Sequence, residues 1–321
     1  MNKIIAGILT AVLSASVCAA DRPVIASIVF QSDTFMQTFQ DGMKAAAKEK
    51  NVELLLGNSE TDLAKEASLI DGYLVRDVDA IVINTFSASA SASAVKEALN
   101  EGVTVVCANT CLEENKRKGI VSFLVTENRD LGLKTGKAAA DYIKANLNGK
   151  AKIGILNCDT FPEACIPRKQ GFLDALRDAG IEYEVKADQT GFLSDQALPI
   201  SEAMLQAHPD INILWAANEG GTTAHVLAVR GLDLSNKVKV FGTDMSAQHA
   251  QFLKSKKGTL MAVTGQAPFQ LGYDAINITL DALNNKEVAK KLTVPTILFA
   301  RGDIRQIDTF MSSNGRAIFA N

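Results

Sequence analysis

Val24 to Lys48 reads VIASIVFQSDTFMQTFQDGMKAAAK. An apolar run from Val24 to Phe30 stops at Gln31-Ser32-Asp33, and apolar residues then recur at Phe35, Met36, Phe39, Met43 and Ala46-Ala47. That spacing follows the 3.6-residue period of a helix, so the stretch predicts a strand, a polar loop and a helix. The strand has no polar alternation, which suits a parallel sheet covered on both faces. In such sheets ligands are met beyond the carboxyl ends of the strands, beside helix N-termini. Asp33 and Phe35 therefore stand where a ligand is expected. Asp is also a favoured N-cap residue, and this stretch alone leaves both roles for Asp33 open.

Upstream, one positive charge at Lys3 precedes the apolar stretch Ile4 to Val17, and Cys18-Ala19-Ala20 leads into Asp21-Arg22. This is the three-part pattern of a secretory signal over residues 1–20, too short for a comfortable membrane span. Cleavage near Ala19 or Ala20 ranks above lipidation at Cys18, because Val17 is bulky for a lipoprotein site. The reading is a soluble chain exported to the periplasm.

The 321 residues are 47% hydrophobic and 21% charged, enough for two domains with sizeable cores. Loss of Lys3 with the signal takes the formal charge from -3 to -4. A mildly acidic chain does not suit nucleic acid, whose phosphates need a basic surface.

Beyond the opening unit, strand-like and helix-like runs alternate. Strands are expected at Val24-Phe30, Val52-Leu56, Ala80-Asn84, Val103-Ala108 and Ile120-Val125, with helices such as Leu63-Arg76 and Ala94-Glu101 between them. A second series follows at Ala151-Leu156, Glu182-Val185, Ile211-Ala217, Val238-Phe241 and Leu260-Val263, with helices such as Lys169-Ala179. Such alternation specifies an α/β protein, here two similar doubly wound parallel-sheet lobes. The low-complexity run SASASASA, Ser87 to Ala94, directly follows a strand and reads as a loop and helix start in which serine caps the backbone.

At the carboxyl ends of these strands stand Asp33, Asn84, Asn109, Asp159, Asn218-Glu219 and Asp244. Each alone is a common cap or turn residue. Their recurrence in both series points to two rims facing one cleft. Carboxylates and amides suit a polyhydroxylated ligand, since each exchanges hydrogen bonds in fixed directions. Phe35 and Phe192 offer aromatic faces for a sugar ring, and Arg168 offers a permanently charged fork of donors.

Once Cys18 leaves, the remaining cysteines fall in two close pairs, Cys107/Cys111 and Cys158/Cys165. Local disulfides are favoured in an oxidising compartment. A zinc site fits less well, because the spacings are not those of zinc ribbons and no histidine is near. His208, His225 and His249 are the only histidines, and none sits in a catalytic or metal-binding motif. No cofactor or metal is expected. The carboxylates Glu219 and Asp244 are the pair to test for glycoside cleavage. The balance favours a binding protein over an enzyme, because sugar binding needs strand-end carboxylates equally.

These residues resemble the periplasmic sugar-binding proteins of ABC importers, of the ribose-binding type. Phe35-Met36 and Gln40-Asp41-Gly42 are similar to the family's aromatic pair and Lys-Asp-Gly helix, and Arg168-Lys169-Gln170-Gly171-Phe172 to its Arg-Gly-x-Gly-Phe turn. Val82-Ile83-Asn84, Ala207-His208-Pro209-Asp210, Ala217-Asn218-Glu219, Phe241-Gly242-Thr243-Asp244 and Gly265-Gln266 match in the family's order. The resemblance implies two lobes joined by a three-strand hinge, near Val125-Asn128, Val263-Gln266 and Leu292-Pro295. Residues 21–127 with 265–294 would form one lobe, and 128–264 with 295–321 the other. The positions of Arg168, Asn218, Asp244 and Gln266 are those that bond sugar hydroxyls in the family, and those of Phe35 and Phe192 sandwich the ring. Asp33 stands where relatives often have asparagine.

One departure matters: Asn109-Thr110 replaces an Asp-Arg pair that grips ribose. Losing charged hydrogen bonds worth about 1.5–3 kcal/mol each argues for another pentose, a hexose, a furanose or a sugar alcohol. Met36, in place of a second aromatic, points the same way. The implied partners are a membrane permease and, in an alternative reading, a chemoreceptor to which a furanosyl signal is presented. The protein is expected to be a monomer. A sugar-responsive repressor is excluded, since an export signal stands where a DNA-binding segment is required. The residues after Ile304 exceed what this fold needs.

Overall fold

Residues 22–313 are described by a computed structural model; the signal expected at residues 1–20 lies outside them. The opening unit folds as β1 (Val24–Val29) and α1 (Thr34–Lys50), followed by β2 (Glu53–Asn58), α2 (Leu63–Leu74), β3 (Ala80–Ile83), α3 (Ala92–Asn100), β4 (Thr104–Ala108) and β5 (Ser122–Thr126). The second series runs through α4 (Asn128–Asn146), β6 (Lys150–Asn157), α5 (Pro162–Asp178), β7 (Glu182–Thr190), α6 (Ser194–Ala207), β8 (Ile213–Ala216), α7 (Glu219–Gly231), β9 (Lys239–Thr243), α8 (Ala247–Lys254) and β10 (Leu260–Gly265). It closes with α9 (Pro268–Leu283), β11 (Lys291–Val294), β12 (Ile297–Ala300) and α10 (Ile304–Ser313).

The strands form two six-stranded sheets, ordered β2-β1-β3-β4-β5-β11 and β7-β6-β8-β9-β10-β12. All pairings are parallel except β12 against β10. The apolar run of β1 does serve two faces. Ile25 and Val29 join one core cluster, while Ala26 and Ile28 join another with Ile81, Ile83 and Val105. In the second sheet Ile153, Ile155 and Phe241 pack around Trp215, whose ring stacks on Phe172 at 4.9 Å.

The chain exchanges helices between the lobes. Helix α4 leaves the first sheet after β5 yet packs on α5, while α9 leaves the second sheet after β10 and packs on α1. Both helix pairs approach closely through glycine. A β-carbon at Gly42 would overlap the Phe269 carbonyl, and one at Gly171 would overlap the Arg129 carbonyl. The glycines of the two sequence motifs around α1 and α5 therefore serve helix–helix contact.

Several local expectations change. Helix α5 starts at Pro162 rather than Lys169 and carries Pro167 within it. The run after Ser87 does turn into a helix, with Ala90 N–H donating to Ser87 Oγ, but the N-cap Ser91 makes no side-chain cap bond. The edge strands β11 and β12 went unread, because four residues carry too little pattern. The segment from Ile304 is an amphipathic helix that seats Ile307 and Phe310 on the second lobe, with Phe310 edge-on to Phe299 at 5.3 Å. Those residues complete the fold, contrary to the expectation of surplus chain.

Candidate functional site

The carboxyl ends of both sheets meet at a chamber of about 50 Å³. Asp33, Phe35, Asn109, Arg168, Phe192, Asn218, Asp244 and Gln266 all line it, together with Gln31, Met36 and Phe161. Of the strand-end residues singled out from sequence, Asn84, Asp159 and Glu219 are not on the wall. Asn84 is fully buried at the end of β3, and neither polar atom of its side chain has a partner. Asp159 also turns away, into an ion pair with Lys169 at 2.6 Å.

At the strand ends of the second sheet the polar groups bond to one another, Gln266 joining them from the crossover after β10. Arg168 is 5% exposed; its Nε donates to Asn128 Oδ1 at 2.9 Å and its Nη1 to the Ala217 carbonyl at 2.8 Å. Nη1 lies 3.5 Å from Asp244 Oδ2, while Gln266 Nε2 donates to Asp244 Oδ1 at 2.6 Å. Burial lowers the Arg168 pKa, and the Asp244 charge opposes that shift. Gln266 Oε1 is left buried with no partner, an acceptor ready for a hydroxyl. Asn218 caps α7 through Gly221 N–H and donates to the Phe192 carbonyl at 2.7 Å, fixing the backbone that carries the aromatic ring.

On the first lobe Asp33 caps α1, accepting from Met36 N–H at 2.9 Å. The cap role and a place on the chamber wall coincide in this residue. Its pKa is raised to about 6, mainly by burial, with the Asp244 charge adding to the shift. Asn109 follows β4 in the left-handed region with φ 61°, and Thr110 Oγ1 donates to the Thr85 carbonyl at 2.8 Å. Thr110 thus spends its hydroxyl on the backbone, where an arginine would project a charge.

Contacts across the cleft hold the lobes closed. The Phe30 and Phe161 rings stack at 5.0 Å from opposite lobes, and Phe161 is steadied within its own lobe by Phe192, edge-on at 5.4 Å. Arg117 pairs with Glu163. Glu219, at the start of α7, hydrogen-bonds both Thr34 of α1 and Ser246 before α8. Burial and the charges of Asp33 and Asp244 raise its pKa to about 7. It is not on the chamber wall.

Disulfides join Cys107 to Cys111 and Cys158 to Cys165. The first closes the loop of Asn109 and Thr110; the second closes the loop of Phe161. Phe161 was missed from sequence because it lies inside a loop rather than at a strand end. The available signal was its place between two cysteines.

The histidines take no part in the chamber. His225 and His249 are fully buried, which pushes their pKa values down to about 3 and about 4. His249 Nδ1 pairs with the Asp244 carbonyl at 2.8 Å, which steadies the turn. Among the described residues no group of three or more His, Cys, Asp or Glu side chains is placed to hold a metal, and no helix is long and apolar enough to cross a membrane.

Residues 24–287 match the family model described as periplasmic binding protein domain. A curated relative, the ABC transporter periplasmic-binding protein YphF of Escherichia coli K12, is 31% identical over 281 residues, covering 86% of this chain and 85% of its own. The ribose import binding protein RbsB of Bacillus subtilis is 27% identical, covering 84% of each chain. Among solved structures, a carbohydrate transporter solute-binding protein from Agrobacterium radiobacter in complex with D-arabinose superposes with TM-score 0.80 at 25% identity, covering 91% of this chain and 99% of its own.

Proposed function

This chain belongs to the periplasmic binding protein family, and on that premise we propose that it captures a monosaccharide or sugar alcohol between its two lobes and delivers it to an ABC permease. One observation carries the reading: side chains from the strand ends of both lobes converge on one chamber whose polar groups are held in place by each other. Arg168, Asn218, Asp244 and Gln266 bond the hydroxyls, and Phe35 and Phe192 cover the ring faces. Asp33 and Asn109 complete the grip from the first lobe.

Ligand enters when the lobes part about three crossovers, at residues 126–128, 265–268 and 294–297. A chamber of 50 Å³ is smaller than the cavity of about 150 Å³ known to take up benzene, so a sugar ring requires the Phe30–Phe161 stack to separate. Closure is a hinge motion, and a ligand favours it only through contacts made in the closed state. On this reading the lobes divide at 127/128, 264/265 and 294/295, each within a few residues of a crossover, and the signal at residues 1–20 directs export to the periplasm.

Binding is favoured over glycoside cleavage because Glu219 is committed to Thr34 and Ser246, and Asp244 to Arg168 and Gln266. The test is a thermal-shift screen of the mature protein with D-ribose, D-allose, D-arabinose and myo-inositol, confirmed by calorimetry. A ligand at a hundred times its dissociation constant stabilises the protein by about 2.7 kcal/mol. Stabilisation by one compound recovered unchanged is the expected result. Turnover of a compound, or no response to any sugar or polyol, overturns the reading.

A further inference from the structure

Beside the sugar chamber lies a second, larger one of about 230 Å³. The two adjoin along a shared wall of Asn109, Thr110, Phe161 and Ala164. Beyond that wall the lining is mixed: Phe86, Phe123, Val125 and Pro167 are apolar, while Thr126, Asn128 and Thr160 bring polar groups. The space exceeds the roughly 150 Å³ of an apolar cavity that binds benzene, so it has room for a six-membered ring.

Its charges are settled within the protein. Arg117 pairs with Glu163 across the cleft, and its guanidinium lies over the Phe123 ring at 4.7 Å. Glu127 and Lys291, of opposite sign, are exposed. An ionic occupant would meet no unpaired buried charge, whereas a neutral apolar one would meet aromatic faces. Among the uncharged polar groups that line this chamber, the Thr85 hydroxyl is buried without a partner.

The two chambers are mechanically linked. Asn128 lines the second and accepts from Arg168, which lines the first. The shared wall is carried largely by the two disulfide-closed loops, one from each lobe, which fixes the spacing between chambers. Because both lobes contribute lining, an occupant gains its contacts only on closure.

We infer that the second chamber is a subsite for an uncharged, ring-sized apolar substituent carried on the sugar, so that the cargo is a neutral glycoside or similarly substituted sugar rather than a free monosaccharide. The inference rests on the sugar-binding reading above, and its test separates the two. The full mature protein is titrated by calorimetry with D-ribose, D-allose and D-arabinose and with the methyl and phenyl glycosides of each. The expected result is that at least one phenyl glycoside binds ten-fold or more tightly than its free sugar and more tightly than its methyl glycoside.

Ala88→Trp, which fills the second chamber from a half-buried loop position, is expected to abolish that gain and leave the free sugar's affinity within about three-fold. Ala88→Leu, a smaller filling, is expected to remove part of the gain, and its melting temperature reports folding. Phenyl glycosides that bind no better than free sugars overturn the subsite and leave sugar binding standing. Equal losses of free sugar and glycoside in a folded Ala88 variant also overturn it. No binding by any sugar or glycoside overturns both readings.

Discussion

Asn109 and Asp244 occupy corresponding turns, each directly after the fourth strand of its sheet. Both take the left-handed conformation, with φ 61° and 67°, and both donate their backbone N–H to the next strand, to Leu124 and Thr264, at 2.8 Å. Asn and Asp are the side chains that tolerate this region best. The backbones are therefore alike while the side chains differ. Asp244 is held by Arg168 and Gln266, whereas the Asn109 side chain has no hydrogen-bond partner among the described residues. One lobe presents a wired polar surface, and the other presents caps and turns. On the proposed function, that asymmetry has a ligand dock on the first at little ordering cost before the second covers it.

The sharpest break of that asymmetry is Arg168→Ala. It removes the donor fork and leaves Asp244 buried without its cation, a change that typically costs 3–5 kcal/mol. Sugar affinity is expected to fall at least a hundred-fold by calorimetry, and the melting temperature to fall with it. An unchanged affinity would falsify the wired-lobe reading.

Next comes the Phe161 loop. The double change Cys158→Ser/Cys165→Ser opens a short loop, and loop-closure entropy puts the loss near 2 kcal/mol of stability in denaturant titration. Affinity is expected to drop more than in Cys107→Ser/Cys111→Ser, because Phe161 packs on Phe30 and Phe192 while the Asn109 side chain has no hydrogen-bond partner among the described residues. The reverse order would shift the aromatic anchor to the other lobe.

The pH dependence is smaller. Asp33 and Glu219 ionise at about 6 and about 7, above the ordinary carboxyl range, so the closed protein retains protons that the unfolded chain has released. Their stabilising contribution is complete below about pH 4 and is lost as pH rises through about 6 and then 7. The melting temperature of the unliganded protein is expected to decline from pH 5 to 8. Glu219→Gln should flatten most of the slope above pH 6, a difference on the order of 2 kcal/mol at pH 8. A wild-type slope retained in the variant would assign the titration elsewhere.

Asp33→Asn is expected to do least. Asparagine caps a helix as well as aspartate does, so stability at pH 5 should hold and affinity should change by less than ten-fold. A loss as large as that of Arg168→Ala would make the two lobes equal partners.

The alternation of apolar runs sufficed to reveal the two sheets, because buried parallel strands such as Val24 to Val29 announce themselves without side-chain partners. Arg168, Asp244 and Gln266 were legible for a related reason: the carboxyl ends of strands are where a parallel sheet meets its ligand. Phe161 was hidden because its position depends on a disulfide-closed loop folding back over the cleft. Asn84 was over-read, since one residue decides whether a side chain at the end of β3 faces inward or Thr85 reaches the cavity. Strands β11 and β12 were too short to show a period, whereas Ile304, Ile307, Phe310 and Met311 carried a helical spacing that passed unused.

The exchanged helices α4 and α9 also set a timetable. The first lobe needs α9 and β11, and so lacks its last pieces until Val294 has been added to the growing chain. The second lobe needs β12 and α10, which come later still. Neither half can finish before these segments are made, so the two lobes complete themselves one shortly after the other. Each lobe therefore stays open to the other's segments until a late stretch of chain, residues 268–313, has been made.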